Sequence, residues 1–243
     1  MENEFPRIYR YTHDEAVRRD ELLLWRESFK ENVCCARAIE KAIRDGGGEH
    51  IPPDCAKGVT EDYGIKRTMY VLAKSVCNLD PKARAGRDVE AWSRSADVLL
   101  DPEHDMYFDV DAARPAVEEF IGHVRRAYEA LGLIDKSQYT PLSGVDLNGK
   151  VLVLSPDTLK EEYWTPKAQL WYAQGGFGCS PNARGRAVLA TCIDDGETVF
   201  WNRQDFDGVL DEKYLPDWAK EKLQELRNPA PEQDQGMGGM EMK

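Results

Sequence analysis

The sequence predicts an α+β protein: an N-terminal α-helical region followed by a small mixed or antiparallel sheet with a C-terminal helix. Two patterns carry this. Apolar residues recur at helical spacing through most of positions 12–131. From Val151 onward the pattern changes to short β-branched and aromatic runs separated by glycine and Asp-Gly turns. Length and composition fit: 243 residues with 42% hydrophobic content hold one large domain or two small ones. The expected division is a helical domain over 1–135, a polar linker over 136–149, a small α+β domain over 150–228 and a disordered tail over 229–243.

Thr12 and Glu15 have the spacing of a capping box, which marks a helix start. From there one long helix is expected to about Arg44, with Leu22, Trp25, Phe29, Val33, Ala36, Ile39 and Ile43 on its buried stripe. Its charged residues read as a solvated face. Gly46 and Gly47 stop it. Pro52 and Pro53 open a short second helix that ends near Gly64. A third follows over 65–79, with Ile65, Met69, Leu72 and Val76 on one face. A shorter helix is expected around Val89 and Trp92. Four acids around His104, in residues 101–109, invite a metal reading, but the glycine that hard-metal loops need at the sharp turn is missing. That stretch therefore reads as a surface connector. Pro115 to Leu131 forms the last helix of this half, and Gly132 suits the position just past its end.

In the second half, Val151–Leu154 is an apolar strand. Residues 169–173, 186–193 and 198–202 complete a sheet of four strands. Asp195-Gly196 is a hairpin turn signal of the type I′ kind. Leu215, Pro216 and Asp217 open a terminal helix whose Trp218, Leu223 and Leu226 can pack on the sheet.

The densest chemistry lies in residues 170–210. Gly175, Gly176 and Gly178 tolerate positive φ, and successive amides in such a turn can form an anion-binding concavity. Arg184 and Arg186 lie just beyond, and either guanidinium can fork onto a phosphate or carboxylate. With Arg203 they complete the candidate binding set. The plain alternative is a wide hairpin loop whose glycines let the sheet turn tightly. The spacing is neither a P-loop nor a dinucleotide fingerprint. Arg203 and Asp205 read as an exposed pair at the exit from the sheet. Trp171, Tyr172, Phe177 and Trp201 offer stacking faces or, more simply, core. Cys179 has no histidine near it in sequence to serve as base, so no catalytic residue is assigned and a non-enzymatic protein is expected.

Charge narrows the partners. The formal net charge is −12, and residues 1–140 and 141–243 carry −6 each. That argues against sequence-independent DNA binding, which needs Lys and Arg to neutralise phosphate. It suits a basic protein surface, or simply keeps a soluble protein dispersed. The acidic start, Met1-Glu2-Asn3-Glu4, is unlike a secretory leader, and no apolar run is long enough to cross a membrane. Six cysteines without knuckle spacing imply free thiols in the cytoplasm, no zinc site and no cofactor.

The motifs LWYAQGGFGCSPNARGRAV, WNRQDFDGVL and LPDWAKEKL resemble an uncharacterised family of domain-of-unknown-function proteins encoded on conjugative elements, plasmids and phages of gut bacteria. YRYTHDEAVRRDELLLWRESFKENVCCARAIEKAI and YGIKRTMYVLA in the first half are similar to it too. The resemblance implies a cytoplasmic accessory protein of mobile DNA and transfers no catalytic residue. Together with the acidity it leads to an expected function: binding a host or defence protein with a basic surface. In the specific form this is an anti-CRISPR or anti-restriction inhibitor occupying a basic nucleic-acid groove. The alternative is a nucleic-acid-associated module in replication, conjugation or regulation that uses the 175–186 loop.

Overall fold

The structure, a computed structural model, describes residues 7–9, 11–47, 50–77, 86–95, 109–181 and 185–228. The acidic connector around His104, the tail over 229–243 and Arg184 lie outside the described residues. The chain divides into two compact units, Met1–Gly132 and Leu133–Lys243.

The first unit is helical: α1 (His13–Arg18), α2 (Leu22–Asp45), α3 (Pro53–Tyr63), α4 (Ile65–Cys77), α5 (Arg87–Ser95) and α6 (Arg114–Glu129). The long first helix expected from the capping box is two helices. Thr12 does cap the start, its hydroxyl accepting from the Glu15 amide at 3.3 Å. Glu15, however, turns to Arg18 and Arg19 instead of back to the cap. Asp20 then takes a left-handed φ of 58°, and the Glu21 amide reaches back to the Ala16 carbonyl at 2.8 Å. These bonds close α1 before α2 begins.

The core of this unit gathers Ile39, Leu72, Phe120 and Ile121 around the facing sides of α2, α4 and α6. The buried stripe of α2 runs through Ser28, Asn32, Cys35, Ala36, Ile39 and Ile43. The expected stripe placed Phe29 and Val33 deeper than Ser28 and Asn32. Asn32 goes inside because Arg67 of α4, only 2% exposed, donates to its side-chain oxygen as well as to the Ser28 carbonyl at 3.1 Å, while the Ser28 hydroxyl is covered by accepting from the Tyr9 amide at 2.9 Å. Gly132 takes a φ of 64° just beyond α6, as its position requires.

The second unit is a six-stranded sheet with neighbours in the order β1-β6-β2-β3-β4-β5. Its strands are β1 (Tyr139–Thr140), β2 (Val151–Leu154), β3 (Leu170–Gly175), β4 (Ala187–Cys192), β5 (Thr198–Asn202) and β6 (Phe206–Leu210). Every pairing is antiparallel. Two strands exceed the sequence reading. β1 and β6 pair with each other, and β6 also pairs with β2 in the middle of the sheet. Residues 136–149, expected as a linker, fold into this unit: β1 joins the sheet and Leu147 is fully buried. The segment lacked the length and alternation that would have marked it as structure.

One sheet face packs Leu152, Leu154, Trp171, Val188 and Ala190 against Leu147 and Cys179. The other packs Val151, Val153 and Leu170 against Leu215, Ala219 and Leu223, with Trp218 and Leu226 at the margin. Ala219, Leu223, Trp218 and Leu226 belong to α8 (Asp217–Arg227), which follows the short α7 (Pro166–Gln169) and the sheet. The β4–β5 turn differs in detail from type I′. Its Gly196 has a φ of 78° while Asp195 stays at negative φ. The Cys192 amide donates to the Glu197 carbonyl at 2.8 Å, so four residues form the loop. Among the described residues no helix is long and apolar enough to cross a membrane.

Candidate functional site

The loop between β3 and β4 is where the sequence concentrates its chemistry, and the geometry sorts its residues. Gly175 ends β3 with open space where a Cβ would point. Gly176 has a φ of 109°, and a Cβ there would lie 2.5 Å from the Ala187 carbonyl oxygen. At Gly178 a Cβ would collide with the Arg186 carbonyl. Gly176 and Gly178 are therefore glycines because the loop backbone lies directly on the start of β4. The close approach is fixed by hydrogen bonds: the Gly178 amide donates to Ala187 at 2.7 Å, and the Cys179 amide to Gly176 at 3.0 Å. Neither amide points into an anion-binding concavity.

Arg203 belongs to the same arrangement rather than to an exposed pair with Asp205. Its guanidinium donates to the carbonyls of Gly178 (2.6 Å), Cys179 (3.3 Å) and Ser180 (3.3 Å). It also reaches Leu142 (2.6 Å) and Val145 (2.9 Å). One side chain thus ties the loop after β3 to the segment before β2. Asp205 instead caps the short turn after β5, accepting from the Asn202 amide at 2.8 Å. Arg186 is exposed and donates to the Gln204 side chain at 3.1 Å.

Cys179 is fully buried. Its thiol donates to the Gly175 carbonyl at 3.0 Å. Burial first, and the nearby Asp146 carboxylate second, push that thiol above its ordinary pKa. It is a protonated hydrogen-bond donor in a packed loop, the opposite of an activated thiolate. In the helical unit, burial pushes the Cys35 thiol to about 12.

The aromatics divide as well. Trp171 is buried and meets Trp201 edge-to-face at 5.2 Å. Tyr172 and Trp201 are half-buried against the cores on opposite sheet faces. The Trp201 indole nitrogen is buried without a hydrogen-bond partner, a cost of about 1–3 kcal/mol that its packing must offset. Phe177 alone of the four stands in solvent, 83% exposed at the loop. Nothing in the sequence distinguished it from the other three. Among the described residues no group of three or more His, Cys, Asp or Glu side chains converges as a metal site would require.

No curated protein and no solved structure matches the chain. A family model described as "Protein of unknown function (DUF3849)" matches residues 8–129, the helical unit and not the glycine loop, and the chain belongs to that family.

Proposed function

We propose that the chain is a non-enzymatic binding protein whose partner is a protein with a basic surface, and that the loop after β3 makes the contact. The observation that carries this reading is the exposure of Phe177, 83%, beside Gly178 and Cys179, whose amides and carbonyls are all hydrogen-bonded within the unit. A preorganised loop loses little entropy on binding, and an exposed aromatic is the side chain that anchors most protein interfaces. The net charge of −12 selects the partner's sign. Asp146, exposed beside the loop, adds to it locally. In its most specific form the protein is a cytoplasmic accessory of a mobile genetic element that inhibits a defence nuclease by occupying its basic nucleic-acid groove. The alternative, phosphate binding by the same loop, has less support, because the Gly178 and Cys179 amides and Arg203 are already committed.

The test is affinity capture from host lysate, then calorimetry on the purified pair. Phe177→Ala is expected to weaken binding about tenfold or more without moving the melting temperature. Rising salt is expected to weaken it further, since exposed charges are screened over about 8–10 Å. Binding that ignores both Phe177→Ala and salt overturns the reading.

A further inference from the structure

The two edges of the sheet are treated differently. β1, at one edge, is two residues long, and a very short strand is one of the ways proteins blunt an edge. β5, at the other, is five residues, Thr-Val-Phe-Trp-Asn, with no charge, no proline and no break in its register against β4. None of the usual protections against strand addition is present within it.

Which groups face outward follows from the ladder. The Cys192 amide donates to the Glu197 carbonyl and the Arg203 amide to the Arg186 carbonyl. In an antiparallel pair hydrogen-bonded and non-bonded pairs alternate. Residues 197, 199, 201 and 203 therefore bond to β4. Thr198 and Phe200 turn their N–H and C=O groups to the side away from β4, where no strand pairs among the described residues, and the Asn202 amide is capped by Asp205. The Phe200 side chain is 68% exposed.

The charges flanking this neutral strand are of opposite sign at its two ends. Asp195 and Glu197 are exposed where it begins; the exposed Arg186 lies where it finishes, with Arg203, whose guanidinium is turned to the loop carbonyls, and Asp205, which caps the Asn202 amide. We propose that β5 pairs antiparallel with β5 of a second copy of this chain, about a two-fold axis at Phe200. This joins the two sheets into one. Phe200 then exchanges hydrogen bonds with its counterpart, and the two phenyl rings lie side by side across the axis. Thr198 of each copy meets Asn202 of the other. The acidic end of each strand meets the basic end of its partner, which no parallel arrangement achieves. The net charge of −12 on each copy opposes association at long range. That repulsion is screened beyond about 8 Å at physiological ionic strength, while the matched ends lie at contact.

The inference is independent of the partner reading and is tested on the purified full chain alone, by sedimentation velocity from micromolar to submillimolar concentration. A monomer–dimer equilibrium is expected; a monomer throughout overturns the proposal. In hydrogen exchange on the natural chain, the Phe200 amide is expected to gain protection as concentration rises. A dimer that leaves that amide unprotected also overturns it. Phe200→Pro removes an N–H that β4 does not use, a substitution edge strands tolerate, and is expected to raise the dimer dissociation constant about tenfold or more. Glu197 of each copy lies opposite Arg203 of the other in this register, so Glu197→Arg is expected to weaken the dimer and Glu197→Gln to weaken it less. A dimer indifferent to Glu197→Arg excludes the two-fold register.

Discussion

Arg67 in the helical unit and Arg203 in the sheet unit are the same side chain put to different uses. Arg67 is 2% exposed and ties α4 to α2 through the Ser28 carbonyl and the Asn32 side chain. Arg203 is half-buried and gathers five carbonyls from two loops. The first joins helices whose backbone bonds are already made. The second satisfies backbone that belongs to no ladder. A helix needs a side chain to choose its neighbour, and an irregular loop needs one to be a structure at all. The contrast also follows the family match, which covers the helices over 8–129, whereas the loop held by Arg203 lies outside it.

The comparison is tested most severely at Arg67. Arg67→Ala is expected to cost about 3–4 kcal/mol, from the acceptors left unsatisfied inside the helical unit together with a cavity. Arg67→Met keeps much of the volume and is expected to recover part of that, because packing and hydrogen bonding both contribute. Equilibrium urea denaturation of both variants checks this. Equal losses would mean that the guanidinium contributes only its polar contacts.

In the sheet unit the sharper probe is a pair of glycines. Gly178→Ala drives a methyl into the Arg186 carbonyl and is expected to destabilise by about 2–3 kcal/mol. Gly175→Ala has open space and is expected to lie within about 0.5 kcal/mol of the parent. Similar effects at the two positions would show that close approach is not what the loop glycines provide.

Arg203→Lys is the next step down. A lysine carries the charge but cannot spread donors over five carbonyls. A loss of about 2 kcal/mol is expected, with faster exchange of the Leu147 amide, which bonds the Cys179 carbonyl inside the same arrangement. Full stability in the lysine variant would reduce Arg203 to a surface charge.

These effects also explain what the sequence could and could not reveal. α2, α4 and α6 were legible because helical periodicity is local, and the β4–β5 hairpin because Asp195-Gly196 announces a turn. β6 was not. Its Phe-Asp-Gly-Val-Leu looks like a turn, yet Gly208 is there because a Cβ would strike Tyr139 and the Thr140 carbonyl of the neighbouring strand. The partners of Arg203 in the 141–149 segment lie about sixty residues away in sequence, and no spacing rule reaches that far. The glycine loop was recognised, but whether its amides faced outward or onto β4 depended on a strand pairing that only the fold decides.

The smallest expected effect concerns how α8 is held to the sheet. The Asp194 carboxylate, in the β4–β5 turn, accepts from Lys222 of α8 at 3.0 Å and from Lys167 of α7 at 3.2 Å. Lys222 first, and Lys167 with it, holds the carboxyl below its ordinary value of 3.8. A group with a depressed folded pKa binds protons more readily when unfolded, so its contribution is complete above the unfolded value. That contribution fades as pH falls below about 4 toward the folded value. Both lysines are substantially exposed, and screened pairs of this kind are worth less than about 1 kcal/mol. Asp194→Asn is therefore expected to lower stability slightly at neutral pH. The difference from the parent should shrink as both are titrated below pH 4, followed by denaturant midpoint. A difference that stays constant down the acid limb would mean that Asp194 acts through the shape of the turn and not through its charge.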